Sequence, residues 1–132
     1  MTLFCYGSLV FAEVMRAVTG KSFAHEPARL FGWRRTCFRG RVFPGIQPHA
    51  GGSTSGTLWR GIDARSAQLL DAYETSAYER VSLPVRTSAG DVPADVYVVR
   101  PDARHLLSQA PWTPESFARD SLAEFLRALR RR

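Results

Sequence analysis

The sequence has few of the residues that build metal, disulfide or nucleophile-based sites. Its two cysteines, Cys5 and Cys37, lie in apolar runs without CxxC spacing, which indicates two reduced, buried thiols. The three histidines are scattered, so they predict neither a zinc site nor a partner base for Ser8. Ser8 lacks G-x-S-x-G surroundings, and Gly51-Gly52 lacks the GK[ST] of a phosphate-binding loop. We therefore expect no metal and no cofactor.

Long hydrophobic runs are also missing. No stretch approaches the roughly 18 apolar residues that a transmembrane helix needs. The N-terminus lacks the basic segment and apolar core that mark a signal peptide. These absences predict a cytoplasmic protein without a membrane partner.

Acidic residues are too few to balance the basic ones. The chain has 18 Lys and Arg against 12 Asp and Glu, a net charge of +6 that attracts anions, including nucleic acid. Aromatic and basic residues interleave between Trp33 and Arg41, as in single-strand binders. A strand with one solvated basic face is the simpler interpretation, because the arginines are spread along the whole chain and Lys21 is the only lysine. We predict no nucleic-acid partner.

Apolar residues, in contrast, are plentiful. Of the 132 residues 45% are hydrophobic, which is enough for a core without a metal or disulfide. The periodicities predict a single α+β domain over residues 1–132, rich in strands and with three helices. The predicted elements are a strand at Leu3–Tyr6, a helix from Leu9 to about Val18 capped by Gly20, strand-like stretches from about Phe23 to Phe43, a strand at Gly56–Ile62, a helix from Ala64 to about Glu74 capped by Asp63, a hairpin of Val81–Arg86 with Ala94–Val99, and a C-terminal amphipathic helix with Thr113 as cap and Pro114 at its first position.

Prolines and glycines are concentrated just before the strand that begins at Gly56. The segment Pro44-Gly45-Ile46-Gln47-Pro48 holds two prolines and a glycine, which a central strand disfavours. Two more glycines and three hydroxyl residues follow. The composition predicts a loop from Pro44 to Ser55, with Gly32 and Gly40 as earlier bulges or bends.

Glu74 is the most informative polar residue. At about 100° per residue, Leu69, Leu70 and Tyr73 share an inward face, and Glu74 falls at its edge in the last helical turn, whereas Asp71 points to solvent. Partial burial and the negative end of the helix dipole both raise the pKa of such a carboxyl group. From spacing alone, an ion pair with Arg80 or another arginine is the simpler interpretation.

The N-terminal strand ends in a glycine turn. A helix that opens directly after Gly7 leaves its first N–H groups free to bind a carboxylate or phosphate, and glycine allows a ligand to approach closely. Ser8 could cap this helix. An ordinary strand–turn–helix connection remains the alternative.

Six segments, in this order, resemble the gamma-glutamylcyclotransferase-like superfamily. The branch that they resemble most contains the avirulence-induced-gene proteins and the gamma-glutamylamine cyclotransferases. The segments are LFCYGSL from Leu3, LFGWRR from Leu30, FPGI from Phe43, SGTLWRGI from Ser55, LLDAYETSAYERVSLPV from Leu69 and ADVYVV from Ala94.

The resemblance implies a small mixed β-barrel flanked by helices, with Glu74 as catalytic acid/base. It also implies that the turn residues Tyr6, Gly7, Ser8 and Leu9, together with Tyr78 and Arg80 of a Y-x-R element, bind the substrate. The sequence departs from the family pattern at Tyr73, where phenylalanine is usual, and at Thr75, where glycine is common.

The implied function is release of 5-oxoproline from a small-molecule substrate with a gamma-glutamyl group. The substrate's own α-amine attacks its γ-carbonyl, so no protein nucleophile is needed. A carboxyl group with a raised pKa can take and return the proton. The alternative is a non-catalytic module of the same fold that binds a small acidic metabolite. The oligomeric state does not follow from the sequence.

Overall fold

A computed structural model describes residues 1–131 as a closed barrel with helices packed beside it. Short 3₁₀ turns occupy Ser8–Val10 and Pro101–Leu106. The strands are β1 (Leu3–Cys5), β2 (Ala24–Phe38), β3 (Pro44–Arg60), β4 (Tyr78–Thr87), β5 (Gly90–Val99) and β6 (Leu107–Pro111); the helices are α1 (Ala12–Thr19), α2 (Ala64–Tyr73), α3 (Pro114–Asp120) and α4 (Leu122–Arg130).

Five strands close the barrel in the order β3-β1-β5-β4-β2, because β2 also pairs with β3. The β1–β5 pair is parallel and the other pairs are antiparallel, so the barrel is mixed. The sixth strand, β6, pairs with the C-terminal end of β2. The predicted α+β fold, a small mixed β-barrel with flanking helices, is confirmed.

The loop predicted from Pro44 to Ser55 is wrong, because this segment belongs to β3. Pro44 pairs with Cys37 and Pro48 pairs with Trp33 on β2. A strand tolerates the missing proline N–H at its first residue, which is where Pro44 stands, and next to a bulge, which is where Pro48 stands. That bulge lies between Phe31 and Trp33, at the position predicted for Gly32. Gly32 has a φ of 87°, which favours glycine.

The helices differ from the prediction at two places. The first α-helix starts at Ala12 rather than Leu9, because a 3₁₀ turn intervenes and Phe11 stands at the N-cap. The C-terminal helix is two helices, since Ser121 leaves helical geometry between α3 and α4. Asp63 and Thr113 cap α2 and α3 through their side chains as predicted. No helix within residues 1–131 is long and apolar enough to cross a membrane.

Two of the apolar clusters organise most of the core, and the second of them fixes where the helices lie. One fills the barrel, around Phe4, Leu58 and Val96. The other lies between the barrel and the helices, where Leu70 of α2 and Leu126 of α4 pack with Trp59 and their neighbours. Burial of this area supplies the main stabilisation, at roughly 25 cal/mol per Å². As a result α2 and α4 lie close to the end of β1.

Candidate functional site

A cavity of about 240 Å³ lies at the end of β1. Its lining comes from five places in the chain: β1 with the following turn, the start of β3, the end of α2, β4 with β5, and α4. The lining residues are Phe4, Cys5, Tyr6, Gly7, Ser8, Leu9, Phe43, Pro44, Tyr73, Glu74, Thr75, Tyr78, Tyr97, Phe125, Ala128 and Leu129. Of the residues singled out from the sequence, Glu74, the turn Tyr6–Leu9 and Tyr78 therefore meet in one cavity.

Glu74 reaches the cavity because it ends α2. Leu70 is fully buried one turn earlier and anchors the helix, and the Glu74 N–H donates to the Leu70 carbonyl at 3.1 Å. Glu74 has extended backbone geometry as the C-cap, which turns the chain away from the helix axis. Its side chain is half-buried.

The carboxyl group of Glu74 titrates far from its ordinary range. Burial, and secondly the negative charge of Asp71, raise its pKa to about 8. No ion pair or hydrogen bond joins its side chain to any of residues 1–131. The arginine partner that spacing alone favoured is thus absent from the described chain, and the group can exchange a proton near neutral pH.

Arg80 is the one predicted site residue that does not line the cavity. Its guanidinium pairs with Asp71 at 3.0 Å and with Asp95 at 2.7 Å. The other Asp71 contact is the Tyr97 hydroxyl, which donates to Oδ1 at 2.6 Å. Arg80 therefore supports Asp71 and Tyr97 from outside the cavity.

The turn after β1 offers backbone donors without a regular helix. A helix does open directly after Gly7, but it is a single 3₁₀ turn at Ser8–Val10, and the regular α-helix begins only at Ala12. Val10 donates to the Gly7 carbonyl, but the N–H groups of Gly7, Ser8 and Leu9 find no acceptor among residues 1–131. A β-carbon on Gly7 would lie 3.1 Å from the Pro44 ring, so a larger residue here would push this ring by a few tenths of an ångström.

Arg35 holds this turn from behind, a role that the sequence did not suggest. Its guanidinium donates to the Tyr6 carbonyl at 2.8 Å and to the Ser55 carbonyl at 3.0 Å, and lies 5.2 Å from the centre of the Trp112 ring. In a planar trans peptide the C=O and N–H point in opposite directions. Because Arg35 fixes the Tyr6 carbonyl, it also fixes the direction of the Gly7 N–H.

The hydroxyl groups in the lining have protein partners. Ser8 and Tyr73 share a hydrogen bond of 2.7 Å, and the Tyr78 hydroxyl donates to the Pro44 carbonyl at 2.5 Å. Burial, followed by the negative charge of Glu74, raises the pKa of Tyr78, so this phenol remains protonated. These bonds fix the shape of the cavity. Ser8 is therefore not the helix cap that its position suggested.

The last helix contributes lining that the sequence analysis missed. Phe125, Ala128 and Leu129 have the i, i+3, i+4 spacing of one helical face. The apolar periodicity of this helix was visible, but nothing local indicates which element covers a cavity.

Cys5 also lines the cavity as a buried thiol, whereas Cys37 is only half-buried; both thiols are free.

A family model described as gamma-glutamyl cyclotransferase, AIG2-like, matches residues 3–114. Among curated proteins, AIG2-like protein C of Arabidopsis thaliana is 35% identical over 83 residues, which is 63% of this chain and 48% of that protein. The chain spans about half the length of the curated relatives that it matches.

Solved structures show the same fold. A solution structure of an Arabidopsis thaliana protein has a TM-score of 0.73 at 22% identity and covers 98% of this chain and 79% of that one. The structure of a protein named gamma-glutamyl cyclotransferase has a TM-score of 0.64 at 18% identity, over 98% and 85% of the two chains. With the family model matching most of its length, this chain belongs to the gamma-glutamyl cyclotransferase, AIG2-like family.

Proposed function

We propose that the protein is an enzyme that releases 5-oxoproline from gamma-glutamyl amides, with Glu74 as general acid/base. The observation that carries this proposal is that Glu74 and the turn at Tyr6–Leu9 line the same cavity. Family membership supports the substrate class. The raised pKa of the Glu74 carboxyl group supports the proton transfer.

In this proposal the turn binds the anionic end of the substrate. The free N–H groups of Gly7, Ser8 and Leu9 are suitable donors to the α-carboxylate, or to the oxyanion that develops on the γ-carbonyl. Tyr78 shapes the cavity through its bond to the Pro44 carbonyl. Arg80 acts indirectly, since its partners are Asp71 and Asp95.

The reaction then needs one group that moves a proton. Glu74 takes a proton from the substrate's α-ammonium, and the freed amine attacks the γ-carbonyl carbon. A new C–N bond closes the five-membered ring, Glu74 returns this proton to the leaving nitrogen, and the bond from that nitrogen to the carbonyl carbon breaks. The ring nitrogen gives up its second proton to the released amine, so the products are 5-oxoproline and an ammonium ion, and no water is consumed. Intramolecular attack explains why a nucleophilic side chain is unnecessary.

The test is an assay of 5-oxoproline after incubation with a panel of gamma-glutamyl amines, amino acids and peptides. We expect turnover by the wild type, and a loss of about 10²–10⁴-fold in kcat for Glu74→Gln, because proton transfer contributes that much. Glu79→Gln is the matched control, since Glu79 lies near Arg100 and outside the cavity. Equal activity of Glu74→Gln and wild type would refute the mechanism.

The same panel decides between the enzyme and the non-catalytic binding module. Calorimetry with 5-oxoproline and with each amide measures binding without turnover. Binding of gamma-glutamyl compounds without release of 5-oxoproline from any of them would identify a binding module and overturn the proposed activity.

A further inference from the structure

The substituent on the leaving amine can be inferred from the part of the cavity that α4 builds. We call Gly7, Ser8 and Glu74 the polar wall, and Phe125, Ala128 and Leu129 the apolar wall. The apolar wall lies beyond residues 3–114, the range that the family model matches. It can therefore differ among relatives that share the polar wall.

Aromatic packing holds the apolar wall in place. Phe117 of α3 contacts Phe125 with ring centres 5.5 Å apart, and it also packs on Trp112 at 5.5 Å and stacks on Phe11 at 5.8 Å. Phe117 is only 3% exposed, and Leu126, which lies on α4 with Phe125, is also buried. Aromatic contacts of this kind fix both distance and orientation. Phe125 and Leu129 are thus packed against the folded core, whereas Ala128 is exposed.

The cavity offers few polar groups for an amine substituent. The two ionic groups of a gamma-glutamyl moiety, its α-carboxylate and α-amine, would be bound by the polar wall. The hydroxyls of Ser8 and Tyr73 bond to each other, and the Tyr78 hydroxyl bonds to the Pro44 carbonyl. Among residues 1–131 the only charged side chain that lines the cavity is Glu74, so a charged substituent placed against Phe125 and Leu129 would lose its hydration without a dedicated partner there.

The protein's charge also disfavours a cationic leaving amine. The net charge is +6, which repels a substrate that carries an extra ammonium group. On the outer face of α4, Glu124 is already paired with Arg127 at 2.6 Å and with Arg131 at 3.5 Å. This carboxylate is therefore engaged with arginines rather than left to receive an ammonium group.

We propose that the amine released by this protein carries an uncharged apolar substituent, such as an alkyl or aryl group, which packs on the apolar wall. The proposal rests on the gamma-glutamyl chemistry proposed above and adds the class of the leaving group. Each buried methylene of the substituent should raise kcat/KM about 4-fold, from its transfer out of water.

The wild type is tested with three amides: gamma-glutamyl methylamide, butylamide and aminopropylamide. The last two have chains of equal length that end in a methyl and an ammonium group. We expect the butylamide to have a kcat/KM at least about 10-fold above that of either of the others, because only its chain buries apolar area without a charge.

Leu129→Ala and Leu122→Ala form the matched pair of variants. Both leucines are half-buried on α4, but only Leu129 lines the cavity. Leu129→Ala should lower kcat/KM for the butylamide about 10-fold and for the methylamide by a smaller factor, because the methyl group buries less apolar area against this wall. Leu122→Ala should keep the wild-type preference. Thermal unfolding of both variants shows whether either effect arises from instability.

The possible failures can be told apart. Similar rates for all three amides, or equal effects of the two leucine substitutions, would overturn the leaving-group proposal and keep the cyclotransferase. No 5-oxoproline from any amide would overturn the cyclotransferase proposal and this inference with it. Calorimetry of the same amides with Glu74→Gln protein checks the preference without chemistry, and a butylamide that binds no tighter than the aminopropylamide contradicts it.

Discussion

The polar and apolar walls of the cavity are built in different ways. The polar wall comes from residues within the family match and is held by hydrogen bonds, such as those that Arg35 donates to the Tyr6 and Ser55 carbonyls. The apolar wall comes from α4 and is held by aromatic packing through Phe117. Directional bonds suit a site that must position reacting groups, and close packing suits a site that selects by shape and polarity. Under the proposed mechanism, substitutions in the apolar wall should change selectivity without changing the proton transfer at Glu74.

The largest expected effect concerns Glu74 of the polar wall, whose carboxyl group lowers the free energy of unfolding of the wild type as pH rises. The folded pKa of Glu74 is about 8, above its value of 4.5 in a free side chain, so the folded state binds more protons between these two pH values. The free energy of unfolding therefore falls as pH rises through this window. Glu74→Gln removes this cost, so the variant should be as stable as the wild type near pH 4.5 and up to roughly 4 kcal/mol more stable above pH 8.

Chemical denaturation at pH 5 and at pH 8.5, read by circular dichroism, measures this difference. Glu79→Gln serves as the control, because Glu79 lies outside the cavity. A stability difference between Glu74→Gln and wild type that is the same at both pH values would show that Glu74 titrates normally.

A smaller effect, on ligand binding, is expected from Arg35, which does not line the cavity but bonds to the backbone of the turn. Arg35→Gln removes the charged donor to the Tyr6 carbonyl, a bond worth about 1.5–3 kcal/mol, and so frees the direction of the Gly7 N–H. We expect 5-oxoproline to bind roughly 10-fold more weakly and KM to rise more than kcat falls. Calorimetry and steady-state kinetics measure the two quantities.

The control for this variant is Arg34→Gln at the neighbouring position. Arg34 is bonded to Gln109, and neither residue lines the cavity. Arg35→Lys keeps the charge and should restore part of the affinity. Unchanged 5-oxoproline binding in a folded Arg35→Gln protein would mean that Arg35 stabilises the barrel without positioning the turn.

Local patterns in the sequence predicted much of the polar wall. The helical spacing around Leu70 indicated that Glu74 lies at the edge of a buried face, and burial is the main cause of its raised pKa. The glycine turn was recognisable after an apolar strand. Its 3₁₀ geometry was not, because the apolar spacing that starts at Leu9 continues through α1 without a break.

Features that depend on distant partners could not be predicted. The prolines at Pro44 and Pro48 indicated a loop, and only the pairing with β2 makes this segment a strand. Arg35 looked like part of a solvated basic face, but its partners lie 29 and 20 residues away in the sequence. For the same reason α4 could be recognised as amphipathic but not as part of the cavity.

The most direct test of the account is a titration of Glu74 itself. The ¹³C NMR shift of its carboxyl carbon, assigned by comparison with Glu74→Gln, is followed between about pH 4 and pH 10, with and without 5-oxoproline. We expect a midpoint near 8 that rises when 5-oxoproline is added, because the bound carboxylate would share the cavity with Glu74. A midpoint near 4.5, or one that the ligand does not move, would contradict it.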